Sequence, residues 1–585
     1  MSMWLEQVWS YLRGWFNDIA SRCSVRTDRL PSLSKRNVIL ISLAGLIVYA
    51  VLLRCLHLLN SDHYYIISAD SYFFHWLAQR VMAGEGPPLD ALYGSIWTLH
   101  SGLSYPLVYL ARALGDVFNL SSPEALNVAS KLLPPLLGAI TLAVIFLAAA
   151  RMFNWGAALF AALAWAILVN AMGIGAAGYL DRDGLSALLL TTGVLLFYFS
   201  RTWQVRIGGR DVRWLVGGLG VVAVEGLLYL EWAFVGPVLL LVVITTYFVV
   251  RFLVGYLVRL EKETSVVPRL RAAAADANWR AFAVIVVANL AMIALYRDQL
   301  PYWYRLLLSL VQRPGGTGIA ELQGLSLADI LSYRFLLIPI IAGLYVAVKR
   351  RSEGGMFVAC WLFCLLVLST FAVRLQFYAV PAACFLCGVG MIFIWGWMRK
   401  EGANLARMAA VAILLVLLIV PSFSDAYSLG SGGRIAPDND WEDALSYVRN
   451  STPDDAVIMT QWSYGYWILD LGQRRPLVDN GYYGYNDRVM GDICTAYVTE
   501  QPEEAVQIMN AYGADYLIFA EHDLDLASAI LECAGSLEDG NELPKNSLVV
   551  RSLSGEFESG GGLQVVHRSE PDGEVVILGL ARETS

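Results

Sequence analysis

Long apolar stretches recur through the first 421 residues of this chain and leave little choice of fold. They fall at 38–58, 132–150, 155–170, 184–200, 214–230, 233–252, 281–296, 335–348, 356–373, 376–397 and 406–421, which predicts about eleven helices able to span a bilayer. Of the 585 residues, 57% are hydrophobic and 16% are charged, against about 25% charged in an average soluble domain. The net charge of −8 argues against nucleic acid as a partner. Lipid is the partner the composition does require.

The loops between the stretches give a direction. Arg22, Arg26, Arg29, Lys35 and Arg36 precede the first span, so residues 1–37 read as a cytoplasmic tail with no cleavable signal pattern. Trp4, Leu5, Val8, Leu12, Trp15 and Phe16 sit at roughly helical spacing, so this tail is either an interfacial helix or a disordered segment. Threading onward, each loop expected inside is basic, from Arg151 through Arg201–Arg213, Arg259–Arg271 and Lys349–Arg351 to Arg399 and Lys400. The loops at 59–131, 171–183 and 297–334 then face outward, and so does everything after the last span. The expected architecture is an α-helical polytopic membrane domain over 38–421, a Ser/Gly-rich linker over 422–438, and a smaller extracytoplasmic α/β domain over 439–585. In the last of these, 439–450 and 501–513 read as helices, and 456–460, 515–520, 547–552 and 575–580 as strands. Cys494 and Cys533 also lie there and are able to pair if the compartment is oxidising.

Chemistry-bearing residues gather on the outward side. Asp181 and Asp183 flank Arg182 at the mouth of a span; they are either a solvated helix start or a source of hard oxygen ligands for a divalent cation. Asp70 heads the aromatic run Ser71-Tyr72-Phe73-Phe74-His75-Trp76, and Glu321 lies in the loop at 297–334. Arg374 stands near a helix end, as a snorkelling anchor or as an anion contact. After the strand-like Ala456–Thr460 comes Gln461-Trp462-Ser463-Tyr464-Gly465, followed by Asp479-Asn480-Gly481. Trp462 and Tyr464 are either core residues or the flat walls of a binding site. Glu225, inside a span, has no assigned role.

This last stretch resembles the WWDYG signature of the oligosaccharyltransferase catalytic subunits, with Gln461 in place of its first Trp and Ser463 in place of its Asp. Asp70 matches the final acid of that family's first acidic motif, although Ser68 replaces the motif's first acid. Asp181 and Asp183 match the second acidic motif, and Glu321 the acid of a loop motif ending in Ile-x-Glu. The resemblance implies Mn2+ or Mg2+ held by Asp70, Asp181, Asp183 and Glu321, with Asp70 and Glu321 also acting on the acceptor amide. It implies a donor-phosphate contact for Arg374, and acceptor contacts for Gln461, Trp462, Ser463, Tyr464, Gly465 and Ile530. Ile530 follows an Asp523-Leu524-Asp525-Leu526 run that resembles an Asp-x-x-Lys-type motif, with Leu526 at the Lys position. The family usually has thirteen spans, so this comparison expects a further hairpin between 184 and 297.

The function so implied is metal-dependent, inverting transfer of a glycan from a polyprenyl-phosphate or diphosphate carrier to asparagine in an Asn-x-Ser/Thr acceptor, by a single subunit in the cell membrane. Two alternatives stand beside it. One is a related membrane glycosyltransferase with a glycan or lipid acceptor. The other is a transporter or scaffold, which would place its ionisable groups near the bilayer midplane rather than at the outer face.

Overall fold

The computed structural model describes residues 35–59, 66, 68–85, 102–202, 205–207, 210–232, 235–259, 265–295, 297, 325–350, 352–399, 405–428, 437–479, 487–535 and 542–581. Glu321, the tail before 35, and Asn480-Gly481 lie outside these residues. Contacts divide the chain into residues 1–45 and 46–585. Of the first unit, the described part is the opening of helix α1 (Lys35–Cys55), where Ser42 Oγ donates to the Val38 carbonyl at 2.9 Å.

In the second unit, the segment expected at 59–131 to be a loop carries helices α2 (Ala69–Ala83) and α3 (Ser104–Phe118). Helix α4 (Ser122–Met152) starts ten residues before the apolar span at 132–150, because Ser121 and Glu124 form a capping box and Pro123 fits the first turn. Then come α5 (Trp155–Ile167), α6 (Arg182–Phe199), α7 (Arg213–Trp232), α8 (Val235–Arg259), α9 (Val266–Asp276) and α10 (Trp279–Leu295). Helices α11 (Leu337–Arg350), α12 (Glu353–Ser369), α13 (Val380–Arg399) and α14 (Leu405–Ser428) complete the apolar set.

Each expected span coincides with one of these helices. Among the described residues, five stretches of at least 18 residues are apolar enough to cross a membrane by length and composition. The pair α9–α10, bent by 73°, makes up to six, and shorter apolar helices at 155–167, 353–369, 380–396 and 415–428 add to them. Among the described residues between 182 and 295, the elements beside the expected spans are a short antiparallel ribbon, Arg206–Ile207 with Arg210–Asp211, and α9, which follows α8 and bends into α10; a separate hairpin of spans is not among them.

Two sequence expectations need correction. The linker was to begin at 422, but α14 runs through Pro421 to Ser428. Its last turns are held by a bidentate ion pair of Arg334 with Asp425, at 2.7 and 2.9 Å. The stretch 547–552 was read as a strand from its β-branched residues, yet Leu548–Leu553 is helical, with Leu548, Val549 and Ser552 buried. Packing on one face overrode a weak local propensity.

The C-terminal domain opens with α15 (Asn439–Ser451), N-capped by Asp438, and continues through β1 (Val457–Met459), α16 (Gly465–Asp470) and β2 (Arg475–Pro476). Helices α17 (Asp487–Val498) and α18 (Pro502–Tyr512) lead to β3 (Tyr516–Ala520). After α19 (Ala527–Cys533) and the Leu548–Leu553 helix come β4 (Ser559–Gly560), β5 (Leu563–Arg568) and β6 (Val575–Leu580). The six strands lie in the order β2-β1-β3-β6-β5-β4, with β2, β1 and β3 parallel and the other pairings antiparallel. Cys494 on α17 hydrogen-bonds Cys533 on α19 as thiols.

One hydrophobic core joins the two parts of this unit. It runs from Phe73, Leu77, Leu107 and Leu126 on α2, α3 and the start of α4, through Leu180, to Trp441, Tyr464, Trp467, Ile518 and Ile577.

Within the apolar set, α13 packs against α11 and α5 at backbone distance. A Cβ at Gly343 would collide with the Leu386 carbonyl, one at Gly390 with the Pro339 carbonyl, and one at Gly388 with the Ala157 carbonyl. Small residues are what allow helices to approach this closely in a membrane. We expect Gly390→Leu to lower the melting temperature of the purified protein by several degrees. Gly396→Ala, with nothing within 4 Å, is expected to leave it unchanged or slightly raised.

Candidate active site

The site begins with an irregular segment between α5 and α6. Buried backbone carbonyls need internal partners, and Arg54 serves those of Trp165 in α5 and of Ala171 in the short helix Val169–Gly173. The Arg54 side chain is fully buried and donates to the carbonyls of Ala50, Trp165 and Ala171 at 3.2, 3.1 and 3.1 Å. The Arg54 carbonyl accepts from Ala177 N at 2.9 Å, and His57 Nε2 reaches the Ala177 carbonyl at 2.8 Å. Gly138 and Gly175 make the slot, since a Cβ on either would collide with the guanidinium.

The segment delivers Asp181 as the N-cap position of α6 and Asp183 in its first turn, at 4% and 1% exposure. They are therefore not a solvated helix start. Arg374, on the turn Val373–Tyr378, places Nη2 2.9 Å from Asp181 Oδ2 and 3.0 Å from Asp183 Oδ2. Its Nε donates to Asp183 Oδ2 at 3.1 Å, and the Tyr378 hydroxyl donates to Asp183 Oδ1 at 2.7 Å. Arg374 is thus an anion contact, and its partners are the chain's own acids.

Burial pushes the Asp181 carboxyl well above the usual range; Asp183 adds to this, Arg374 opposes it, and Asp70 adds further. That influence brings Asp70, half-buried in the first turn of α2, into the same field. Ser68, just before it, holds a left-handed φ of 78°, a backbone state that costs a non-glycine residue about 1–2 kcal/mol. Asp181 Oδ1 is buried and has no hydrogen-bond partner among the described residues. A desolvated anionic oxygen facing no donor, beside a second carboxylate, fits a divalent cation. No group of three or more His, Cys, Asp or Glu among the described residues forms a cation site by itself.

The WWDYG-like stretch lies where β1 ends. Gln461 is buried; its backbone N–H donates to the Tyr497 hydroxyl at 2.8 Å. The Gln461 Oε1 accepts from Ser463 N at 2.8 Å and from Ser463 Oγ. The two residues that depart from the family signature therefore bond each other. Tyr464 is 2% exposed and packs, tilted, between Trp441 and Trp467, with ring centroids 4.4 and 5.5 Å away. Its hydroxyl donates to Asp523 Oδ1 at 3.1 Å.

Tyr464 is thus a core residue, whereas Trp462 and Ser463 are half-buried. Gly465 passes so close to Val478 and Asp479 that no side chain fits. Ile530, on α19, is buried in the second core cluster of the domain, against which Trp462 also packs. Sequence reasoning missed Tyr378, Arg54, and the roles of His75 and Asp470. Tyr378 was legible, four residues after Arg374 in the same aromatic-rich turn.

No protein-family model matches the chain. Over 203 residues it is 29% identical to the "Dolichyl-diphosphooligosaccharide--protein glycosyltransferase subunit STT3" of Dictyostelium discoideum, covering 30% of this chain and 28% of that one. It is 23% identical over 201 residues to "Dolichyl-phosphooligosaccharide-protein glycotransferase 2" of Pyrococcus furiosus, covering 33% and 24%. The archaeal oligosaccharyltransferase AglB of Archaeoglobus fulgidus, solved with an inhibitory peptide and a dolichol-phosphate, superposes with a TM-score of 0.70 at 17% identity, over 92% of this chain and 80% of that one.

The chain has the fold of this archaeal oligosaccharyltransferase, and about a third of it is similar to oligosaccharyltransferase catalytic subunits.

The match spans less than a third of the length of either curated relative. The A. fulgidus protein has also been solved tethered to an acceptor peptide containing the NVT sequon, and in complex with Zn and sulfate.

Burial also pushes the Asp523 carboxyl up, to about 7, against the hydrogen bonds from Ala520 N and Tyr464 that lower it. A carboxyl raised in the fold stabilises it when protonated. That contribution is whole below the unfolded value of about 3.9 and is lost as pH rises through about 7. Between pH 5 and pH 8 we expect Asp523→Asn to gain about 2–3 kcal/mol of stability relative to the parent. Paired melting curves at the two pH values measure this; a gap that does not change with pH refutes it.

Proposed function

We propose that this protein transfers a glycan from a polyprenyl-phosphate or diphosphate carrier to the asparagine of an Asn-x-Ser/Thr acceptor, inverting the anomeric carbon, as a single subunit in the cell membrane. The observation that carries the reading is the buried group of Asp181, Asp183 and Arg374 with Asp70 beside it, in one core with the WWDYG-like stretch. The printed complexes of the A. fulgidus protein with a dolichol-phosphate and with a sequon peptide support the two substrate classes, and its complex with zinc and sulfate supports a divalent site. The basic inner loops support a cytoplasmic N-terminus and an extracytoplasmic C-terminal domain.

Asp70, Asp181, Asp183 and Glu321 would hold Mn2+ or Mg2+, which when bound supplies Lewis-acid stabilisation of the phosphate leaving group. Arg374, already among these acids, contributes a charge-assisted contact to the donor phosphate. An acceptor amide is a weak nucleophile because its nitrogen lone pair is delocalised into the carbonyl. Asp70 and Glu321 accept hydrogen bonds from its N–H groups and weaken that delocalisation. Trp462 and Ser463, half-exposed at the end of β1, meet the acceptor hydroxyl. Gln461, Tyr464 and Gly465 shape the turn that presents them, and Ile530 backs the same cluster as Trp462.

The test uses the purified full chain, a fluorescent sequon peptide, a lipid-linked glycan extract and Mn2+. We expect transfer that EDTA abolishes and that Asp181→Asn lowers at least 100-fold. Full activity in excess EDTA removes the metal from the reading. Arg374→Ala is expected to weaken donor use by roughly 10- to 150-fold, the value of a charge-assisted contact of about 1.5–3 kcal/mol, with the peptide KM unmoved.

Ser463→Asp replaces a hydroxyl committed to Gln461 with an ionised acceptor. We expect it to widen the preference for an Asn-x-Thr peptide over its Asn-x-Ala counterpart. A wild-type enzyme that ignores peptides but glycosylates a lipid or glycan replaces the proposed acceptor with the alternative class.

A further inference from the structure

Helix α2 carries Asp70, and α16 begins at Gly465, directly after the acceptor-side turn. These two helices pack on each other. The seam is mostly aromatic: Phe73 meets Tyr466 with ring centroids 5.1 Å apart, and Tyr72 meets Trp467 at 6.3 Å. Inside it lies one polar pair. The Asp470 carboxylate closes α16 and its side chain is 0% exposed; the His75 side chain is 12% exposed. His75 Nδ1 lies 2.8 Å from Asp470 Oδ2 and 3.0 Å from Oδ1, and these are the hydrogen bonds of that carboxylate among the described residues. An ionised carboxylate only accepts, so Nδ1 carries the proton toward Asp470.

Apolar contacts are non-directional and tolerate sliding. A buried, hydrogen-bonded pair has a single register and leaves an uncompensated group if it slips. Asp470 is also at the C-terminal end of its helix, where the peptide dipoles disfavour a negative charge. The acid is therefore held by His75 rather than by its own helix. We propose that His75 and Asp470 are positioning residues that fix α2 against α16, and so keep Asp70 in register with the Trp462–Tyr464 turn.

The kinetic arm of the test rests on the oligosaccharyl-transfer reading, and the exchange arm does not. In the full chain, Asp470→Asn and His75→Gln are compared with their double variant. Each single variant is expected to lower kcat about tenfold or more, since small misplacements of reacting groups are costly, while the peptide KM stays within about twofold. The double variant should be no worse than the worse single, because the two side chains act as one unit. By hydrogen–deuterium exchange, amides in 69–83 and 465–470 should exchange about tenfold faster in either single variant, with 516–520 and 575–580 unchanged. Losses that multiply in the double variant, or unchanged exchange of α2 in both single variants, overturn the proposal. A wild-type chain that transfers nothing to peptides sinks the functional reading instead, and the exchange result still decides the clamp.

Discussion

Much of this molecule depends on where the Arg54 guanidinium goes. Placed among apolar helices and shut off from solvent, it donates hydrogen bonds to the carbonyls of Ala50 in α1, Trp165 in α5 and Ala171 beyond α5. In return it ties α1 to the end of α5 and to the segment that follows. The glycines at 138 and 175 give it room. Asp181 follows a few residues later, so the position of the acidic pair is inherited from a cation that never touches it.

The acidic pair then sets the electrostatics. Two carboxylates and one guanidinium, all nearly out of water, leave one negative charge unbalanced, with Asp70 close enough to add to it. Burial of such a group is tolerated when geometry and hydrogen bonds are complete. Here they are complete at Asp183, which Tyr378 and Arg374 both serve, and incomplete at Asp181, whose Oδ1 faces no donor. The imbalance is local and directional. It gathers an under-satisfied carboxyl oxygen and an arginine at one place at the start of α6.

The helices were legible because apolar length is a strong signal, and the parallel strands β1 and β3 because each is a short buried apolar run between polar turns. What was not legible follows from contacts between distant positions. Arg374 and Asp181 are 193 residues apart, and His75 and Asp470 are 395 apart, so neither pairing leaves a local trace. Tyr464 reads equally as wall or core until Trp441, from another helix, is seen packed against it. The 547–552 stretch was misread because Val549 and Val550 favour a strand locally while packing selects one helical turn. Pro421 marked an end that the Arg334–Asp425 pair carries past.

The glycine seam along α13 has a mechanical meaning. Side chains that interdigitate can repack in a new register, but a main-chain carbonyl resting on a glycine has no second seat nearby. Helices α5, α13 and α11 therefore behave as one rigid beam. A movement of this domain cannot proceed by shear of these helices. The deformation has to be borne by the bends and turns around it, such as the 73° break between α9 and α10, so that the stiffest part of the protein serves as the bearing on which the pliable parts turn.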